Sequence, residues 1–204
     1  MRGFKLYPTL IEAVAERWRP ETHTFHFPSG EVTITLEDVA YQLDVPVNGA
    51  LVNHNMNDPT SLVYQVFGKW PPSDVINGFR VRIIWLESKF HVTDESTEEE
   101  IIFMSQAYFL QLIGAVLLLD KSGNLVQTQY LRYLEDFTVC RNTNWGLAIL
   151  AFLYRELCKA VIIQLGRKVD VVDCLILLQW WVWYRFPFMS PLTTTPIEFP
   201  LAAR

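Results

Sequence analysis

Histidine is the commonest metal ligand among protein side chains, and its neutral imidazole can bind a metal ion near neutral pH. The four histidines are His23, His26, His54 and His91. His23 and His26 lie in a segment with strand-like alternation, and residues at this spacing in a strand point to opposite faces. No cysteine lies near either of them, whereas zinc ligands come as close groups of His and Cys. We therefore expect no metal site, with one histidine packed under a hairpin and the other facing water.

Lysine could form a Schiff base with pyridoxal phosphate, but such a site also needs a phosphate-binding loop. The lysines are Lys5, Lys69, Lys89, Lys121, Lys159 and Lys168. None ends a recognisable strand in an α/β pattern, and no Gly-rich loop accompanies them. We expect no cofactor, so the purified chain should show no pyridoxal absorbance band. A saturable band that borohydride fixes onto one lysine would contradict this expectation.

The serines and cysteines show no local signature of a catalytic nucleophile. There is no G-x-S-x-G motif, and no cysteine stands beside a histidine. Cys140, Cys158 and Cys174 lie in apolar surroundings at long spacing, which favours small core residues in a reducing compartment over a disulfide framework. The adjacent acids Glu135 and Asp136 do not face each other on a helix, so we expect them to be solvated. A triad assembled only in three dimensions is left open by the sequence.

A helix-turn-helix is the one nucleic-acid motif that the sequence suggests. Thr35–Pro46 has the spacing of its first helix and turn. The following segment, Val47–His54, has no Arg or Lys with which a recognition helix would contact base edges. The net charge of −5 also disfavours binding to a phosphate backbone. We favour a plain core helix, and expect any DNA affinity to be weak, salt-dependent and indifferent to sequence.

The elements that must position these residues are mostly helices. Apolar residues at helical spacing predict a first helix over residues 8–18, ended by Pro20. Two alternating segments predict a β-hairpin over Thr22–Leu36. Thr35 and Asp38 have the spacing of a capping box and begin a short helix. Further helices are predicted over residues 59–68, 75–90, 101–119, 128–134, 145–165 and 169–183. The predicted fold is mainly α, a multi-helix bundle-like domain with one N-terminal β-hairpin.

The uncharged run from Ile101 to Leu119 is long enough to cross a bilayer. Its flanks show no clear excess of positive charge on one side, and polar side chains interrupt it. A buried core helix is therefore favoured over a membrane span. The run of residues 94–100, five of which are Asp or Glu, precedes this helix, where negative charge complements the helix dipole. A solvated helix start is favoured there over an acidic interaction patch.

Arg17 and Arg19 flank Trp18 and have acidic neighbours at Glu16 and Glu21. One interpretation is a recognition patch on the surface. The other is a salt-bridged clamp that holds the first helix against the hairpin, and this interpretation is favoured. Trp18 itself shares a helical face with apolar residues, so we expect it to be buried and the hairpin beside it to be structural.

The predicted helix over residues 169–183 is apolar around nearly its whole circumference. A helix of this kind needs cover on more than one side, and two other long predicted helices can supply one side. We expect Trp181, Trp183 and Tyr184 to form a candidate interaction surface. The isolated chain should therefore self-associate or need a partner to stay soluble.

Three sequence blocks, covering about residues 9 to 190, resemble the plant mobile domain found in Maintenance-of-Meristems-like proteins. The first contains Arg17, Trp18, Arg19, Pro20, Glu21, Thr22, His23 and Phe25, and continues from Gly30 to Ala40 through Thr35 and Asp38. The second is Leu112–Gly114 with Leu119–Asn124. The third contains Trp145, Tyr154 within Leu150–Cys158, Trp180 within Leu177–Trp183, and Arg185–Pro187. We expect these motif residues to be structural.

The resemblance implies a transposon-derived domain. Family members occur in plant retroelements and transposases, and host members are associated with meristem maintenance, genome stability and silencing of transposable elements in the nucleus. They work with a serine/threonine phosphatase-like protein, and some chains fuse the two. The domain is sometimes labelled aminotransferase-like, but the family has no established catalytic residues to carry over.

The resemblance thus implies a non-enzymatic nuclear protein-interaction module. The alternative is a mobile-element remnant with weak nucleic-acid association and no host role. Two positions depart from the family pattern. Asp44 stands where the family usually has Gly, and the family usually continues beyond Arg185–Pro187 with further helical sequence, whereas this chain stops at Arg204. We therefore expect a C-terminally truncated domain over residues 1–190 and an irregular tail over 191–204.

Overall fold

The computed structural model describes residues 6–53, 58–90, 93, 95–114, 118, 124–164 and 175–190. Contacts divide the chain into two compact units. The first unit comprises residues 1–51 and 144–204, and the second comprises residues 52–143. The described part is mainly α with small antiparallel sheets, which confirms the predicted fold class. The domain prediction over residues 1–190 stays a prediction, and the predicted tail lies outside the described residues.

The elements follow one another in chain order. They begin with α1 (Pro8–Ala15), β1 (Trp18–Arg19), β2 (Thr24–Phe27), β3 (Gly30–Val32), α2 (Leu36–Leu43) and α3 (Pro59–Phe67). Then come β4 (Ile76–Asn77), β5 (Arg80–Arg82), α4 (Ile83–Lys89), α5 (Glu98–Leu112) and β6 (Leu125–Gln127). A 3-10 helix (Thr128–Tyr130) leads into α6 (Leu131–Leu134), α7 (Phe137–Arg141), α8 (Trp145–Gln164) and α9 (Leu175–Arg185), and Pro187–Met189 form a second 3-10 helix.

The predicted hairpin is confirmed as β2 and β3, and β1 adds a third antiparallel strand. Phe27 pairs with Gly30, so Pro28 and Ser29 form the loop. The first helix is shorter than predicted and ends at Ala15, so Trp18 lies in β1 rather than in the helix. It pairs with Phe25 across the sheet and is fully buried, which confirms the predicted burial.

Helix α2 begins and ends as its sequence predicts. The Thr35 hydroxyl accepts a hydrogen bond from the Asp38 amide, and the Asp38 carboxylate accepts one from the Thr35 amide, so the capping box is confirmed. The helix ends at Asp44, whose φ of 53° is left-handed. Glycine takes this conformation most easily, and aspartate tolerates it better than most other residues.

Residues 44–53 contain no helix, so the second helix that a helix-turn-helix requires is absent there. Their backbone instead meets the start of α8. The carbonyl of Pro46 accepts from the Gly146 amide at 2.8 Å, and the carbonyl of Val47 accepts from the Asn144 side chain at 2.8 Å. The helix-turn-helix considered for Thr35–His54 is therefore wrong over its described part. The segment after α2 forms no second helix, and its carbonyls bond to the start of α8 instead. Residues 54–57 lie outside the described residues.

Helices α8 and α9 complete the first unit. Helix α8 packs against α2 and β1, and α9 packs against α1 and α2. The polar Gln179 in the apolar α9 is almost fully buried, and its carbonyl oxygen accepts from the backbone amide of Tyr7 at 2.7 Å. A buried amide that makes a hydrogen bond avoids the desolvation penalty of an unpaired one. The predicted α8 is confirmed. Residues 169–174 of the predicted last helix lie outside the described residues.

The second unit differs from prediction over residues 75–90, which form β4, β5 and the short α4 instead of one helix. Asn77 pairs with Arg80, and Gly78 at φ 60° starts the two-residue loop, as glycine does in hairpin turns. Strand β5 also pairs with the distant β6, a partner that periodicity does not reveal. Ile84 is 71% exposed, because α4 turns Trp85 and Leu86 inward.

Helix α5 has a second capping box. The Thr97 hydroxyl accepts from the Glu100 amide, and the Glu100 carboxylate accepts from the Thr97 amide. Residues 98–100 are exposed, as a solvated helix start requires. The part of the chain that the structure describes contains no helix both long and apolar enough to span a membrane. Residues 115–117 and 119 of the uncharged run lie outside it.

Candidate functional site

An aromatic cluster in the first unit joins the sheet to α8. The Trp18 ring lies 4.8 Å from Phe25 and 4.9 Å from Tyr154, measured between ring centroids. His23 stacks on Tyr154 at 5.5 Å, and its own backbone is left-handed, with φ 53°. The Trp18 indole donates a hydrogen bond to the Cys158 sulfur at 3.3 Å. The cluster therefore gives the aromatic residues of the first sequence block a structural role.

The Tyr154 hydroxyl fixes the backbone that leads from the sheet into α2. It donates to the carbonyl of Ile34 at 2.7 Å and lies 2.6 Å from the Thr33 hydroxyl. Burial raises the pKa of Tyr154, and the charge on Asp38 raises it further, while the Thr33 hydrogen bond opposes both. Tyr154 is therefore a neutral phenol at physiological pH and is suited to holding the backbone rather than to acting as a base.

The predicted arginine clamp does not form. Arg17 and Arg19 are exposed, and within the described chain neither lies within ion-pair distance of an acid. The Arg19 guanidinium donates to backbone carbonyls of Glu16 and Trp18 at 3.4 and 3.1 Å. The sheet instead attaches to the helices through its buried aromatic rings. The acids Glu16 and Glu21 are exposed as well.

A cleft of about 300 Å³ opens between α2 and α9. Both helices belong to the first unit. Seven residues line it: Thr35, Glu37, Asp38, Tyr41, Gln42, Tyr184 and Arg185. The residues from α2 follow one another at helical spacing along one face, which is what a cleft alongside a helix requires. Tyr184 and Arg185 come from the last turn of α9. We call this the α2–α9 cleft.

Gln42 is the most buried of the residues that line the α2–α9 cleft, with 1% of the residue exposed. Neither its carbonyl oxygen nor its amide nitrogen has a hydrogen-bond partner among the described residues. Most buried polar side chains in folded proteins are hydrogen-bonded, and an unpaired one costs about 1–3 kcal/mol. This carboxamide is thus a donor and an acceptor that the chain itself does not use.

The α2–α9 cleft carries more negative than positive charge. Asp38 is buried and lies 3.6 Å from the Arg185 guanidinium, so these two charges offset each other. Glu37 is exposed on the rim, and no cation of the described chain pairs with it. One carboxylate therefore remains uncompensated. Such a site attracts a cation and repels a phosphate.

The chemistry of the α2–α9 cleft is that of binding. Its lining supplies hydroxyl, carboxylate, carboxamide and guanidinium groups, but no histidine, cysteine or lysine. Over the described residues, no three His, Cys, Asp or Glu side chains are grouped closely enough to hold a metal ion. His23 and His26 lie outside the cleft, in the N-terminal sheet region. Within the described residues neither Cys140 nor Cys158 forms a disulfide bond, and Cys174 lies outside them.

The three residues of the candidate interaction surface of α9 differ in how deeply the fold buries them. Trp181 is fully buried, with its ring 5.2 Å from Phe25, so it belongs to the core and not to an exposed face. Trp183 is half-buried, with its ring 5.7 Å from Tyr7. Tyr184 is 51% exposed on the rim of the cleft. The core position of Trp181 arises because α9 packs on the sheet as well as on α1 and α2.

The remaining motif residues are spread between core and surface. Phe25, Asp38, Trp145 and Trp180 are buried, Pro20 and Tyr154 are half-buried, and Arg17, Arg19, Glu21, Thr22, His23, Gly30 and Thr35 are exposed. Sequence reasoning found Asp38 and Tyr184 but missed Gln42 and Arg185 as site residues. The spacing of Asp38 and Gln42, which places the two polar side chains one turn apart on the same face of α2, was a usable signal. No local sequence signal indicated that α9 contributes residues to the cleft.

The fold and the cleft define a mainly α protein with small antiparallel sheets and a polar cleft between two helices. A family model, the plant mobile domain, matches residues 3–204. The chain belongs to the plant mobile domain family, as its sequence blocks predicted. No solved structure matches the chain.

Three proteins of Arabidopsis thaliana show the range of its relatives. Protein MAIN-LIKE 2 is 36% identical over 96% of this chain and 30% of its own length. Protein MAINTENANCE OF MERISTEMS is 36% identical over 98% of this chain and 42% of its own length. The serine/threonine-protein phosphatase 7 long form homolog is 38% identical over 89% of this chain and 14% of its own length. The chain thus spans less than half the length of each of these relatives.

Proposed function

We propose that this chain is a non-enzymatic interaction module that works in the nucleus with a serine/threonine phosphatase-like protein. Its role would be in meristem maintenance, genome stability and silencing of transposable elements. The observation that carries the proposal is the match over nearly the whole chain to a protein named for the maintenance of meristems. The rest of that relative is not covered by this chain, so the role of the whole protein is part of the proposal.

The phosphatase partner is supported by a second relative. The protein named as a phosphatase 7 homolog matches 89% of this chain, which accounts for only 14% of the relative's length. A plant mobile domain therefore occurs in one polypeptide with other sequence in a protein of that name. Covalent linkage raises the effective concentration of two modules that contact each other. The same contact can form between separate chains when its affinity is sufficient.

The α2–α9 cleft favours binding over catalysis. In this cleft the Thr35 hydroxyl donates to the Asp38 carboxylate at 2.9 Å, a contact that belongs to the capping box of α2. The cleft is also lined by the buried Gln42 carboxamide, which has no hydrogen-bond partner among the described residues, and by the exposed carboxylate of Glu37. Groups of this kind recognise a ligand by hydrogen bonds and charge. The alternative, a mobile-element remnant with weak nucleic-acid association, has less support, because residues 44–53 form no recognition helix and Glu37 adds negative charge to the cleft.

Direct binding tests the partner. The purified chain would be titrated by calorimetry with the Arabidopsis phosphatase 7 long form homolog from which the segment matching this chain has been removed. We expect saturable binding, and no binding to an unrelated serine/threonine phosphatase as the control. Absence of binding to both proteins would refute the phosphatase partner. Equal binding to both would show that the contact is not specific.

Localisation is tested separately. A fluorescent fusion of the chain expressed in plant cells is expected to accumulate in nuclei. The fluorescent protein alone, expressed in the same cells, controls for passive entry of a small soluble protein. Exclusion of the intact fusion from nuclei would contradict the nuclear part of the proposal without affecting the phosphatase test.

A further inference from the structure

Burying Gln42 costs free energy that no hydrogen bond within the described residues offsets. The residue is 1% exposed, and its carboxamide makes no hydrogen bond within the described residues. An apolar side chain of similar length would pack at this place without the desolvation penalty. Functional sites often keep polar groups that lower stability, because the same groups bind a ligand. The contrast with Gln179, whose carbonyl oxygen is paired, marks Gln42 as the unusual amide of the first unit.

A primary carboxamide presents a donor and an acceptor side by side. The main chain of an extended peptide offers the complementary pair, an N–H and a C=O that a glutamine can bind together. The cleft is bordered by Tyr41 and Tyr184, which are 54% and 51% exposed. Exposed tyrosines contribute large rigid contact area to peptide-binding surfaces. The volume of about 300 Å³ is the size of a short peptide segment rather than of a folded domain.

The charges select among ligands that offer such a pair. A nucleobase edge also has a donor beside an acceptor, but it brings a phosphate backbone. The unpaired carboxylate of Glu37 on the rim would repel that phosphate, whereas the Arg185 charge is already offset by Asp38 at 3.6 Å. A lysine or arginine side chain of a peptide would instead pair with Glu37. The charges therefore favour a basic peptide over a nucleic acid.

We propose that the α2–α9 cleft binds an extended peptide segment of a partner protein, with Gln42 pairing to its main chain and Glu37 to a lysine or arginine side chain. This inference rests on the proposed function, since it gives the interaction module a specific ligand class. It does not depend on the identity of the phosphatase partner, because the ligand is defined by its chemistry alone.

The test uses a randomised octapeptide display library selected on the whole chain. Enriched peptides are expected to contain a lysine or arginine and to bind in fluorescence polarisation. Gln42→Met should weaken binding by about tenfold or more, the loss expected for a buried hydrogen-bonding pair. The same variant should keep or raise the melting temperature, because it replaces an unpaired amide with an apolar chain of similar length. Glu37→Gln should remove the preference for a basic residue.

Matched controls separate binding from folding. Glu12→Gln makes the same charge change on the exposed face of α1, away from the cleft, and should leave peptide binding unchanged. A library that yields no enriched peptide, or peptides whose affinity is the same for Gln42→Met and wild type, would overturn the inference. Displacement of a bound peptide by oligothymidine at physiological salt would overturn it in favour of nucleic acid.

The outcomes also separate this inference from the proposed function. If the phosphatase binds equally well to wild type and Gln42→Met, the module has its partner but the cleft is not the contact, and the inference fails alone. If selected peptides bind in a Gln42-dependent way while the phosphatase does not bind, peptide binding in the cleft is supported and the proposed phosphatase partner is refuted.

Discussion

Trp18 shows how one residue connects the motif of the first sequence block to the core. Its ring is fully buried, contacts Phe25 and Tyr154, and donates to the Cys158 sulfur. Trp18→Ala is expected to lower the free energy of unfolding by about 3–5 kcal/mol, the usual cost of emptying a large aromatic site. Urea denaturation measures this loss. A variant of unchanged stability that no longer binds its partner would show that Trp18 acts at a surface.

Glu156 makes stability depend on pH. Burial alone would raise the pKa of Glu156, but Lys159 at 2.7 Å and Arg155 at 3.1 Å outweigh it, so the pKa is lowered from its ordinary value of 4.5. A lowered folded-state pKa means that the carboxylate stabilises the fold above the unfolded-state pKa and that this contribution is lost as pH falls through the folded-state pKa.

Glu156→Gln should therefore flatten the loss of stability between neutral pH and the acid range below 4.5. The effect should be about 1 kcal/mol or less, because Lys159 and Arg155 are half exposed to solvent. Urea midpoints over a pH series measure it. Lys159→Gln should flatten the same curve, and the double variant should add little to either single change. Two independent, additive effects would show that the pair does not carry the pH dependence.

The start of helix α8 depends on a close contact between two elements. It begins with Trp145, and Gly146 follows at the place where the helix meets the segment after α2. A Cβ added to Gly146 would lie 2.6 Å from a Val47 methyl carbon and 3.2 Å from the Pro46 carbonyl oxygen. The helix therefore requires glycine here, although alanine is the better helix former.

Gly146→Ala is expected to destabilise the chain by about 1–3 kcal/mol, the usual cost of overpacking. Thermal or urea denaturation measures the change. Val47→Ala in the same chain removes the closest methyl group and should recover part of the loss, so the two changes should be non-additive. A more stable Gly146→Ala variant would show that the segment moves aside and that helix propensity decides.

The end of α2 offers a second test at this scale. Asp44 has a left-handed backbone with φ 53°, which aspartate tolerates less well than glycine. Asp44→Gly is expected to raise the free energy of unfolding, by up to about 1 kcal/mol. Asp44→Val, with a branched side chain, should lower it. Equal stability of all three chains would mean that this helix end is not maintained in solution.

Association is a property of the whole molecule. Trp181 is buried, but Tyr184, Phe188 and Met189 near the end of α9 are 51%, 80% and 42% exposed. The prediction that the isolated chain self-associates or needs a partner therefore depends on these residues and on Trp183, not on Trp181. Light scattering over a concentration series should show a rising mass. A stable monomer throughout would contradict the prediction.

The Trp181→Glu variant tests the core side of the same helix. Because Trp181 is fully buried against Phe25, a carboxylate there would have no partner and would be costly to desolvate. We expect cooperative unfolding to be lost in circular dichroism. Lost association with an intact fold would instead place Trp181 at an interface. Phe188→Ser, at an exposed position, is the matched control and should reduce association without unfolding the chain.

The sequence by itself determined the features that depend on neighbours along the chain. The mainly α class, the hairpin of β2 and β3, the capping box of Thr35 and Asp38, and the extent of α8 all follow from spacing within one element. The family blocks were also readable, because they are strings of adjacent residues. These signals are local, so a single sequence contains them.

Only the tertiary structure decided where the elements meet. The pairing of β5 with β6, the core position of Trp181 and the α2–α9 cleft each join residues that are far apart in the chain. Arg185 carries no local sign that it lines the same cleft as Gln42. Burial and charge are properties of the assembled surface, because they depend on which side chains the fold brings within contact distance, and periodicity along one helix does not specify its partner.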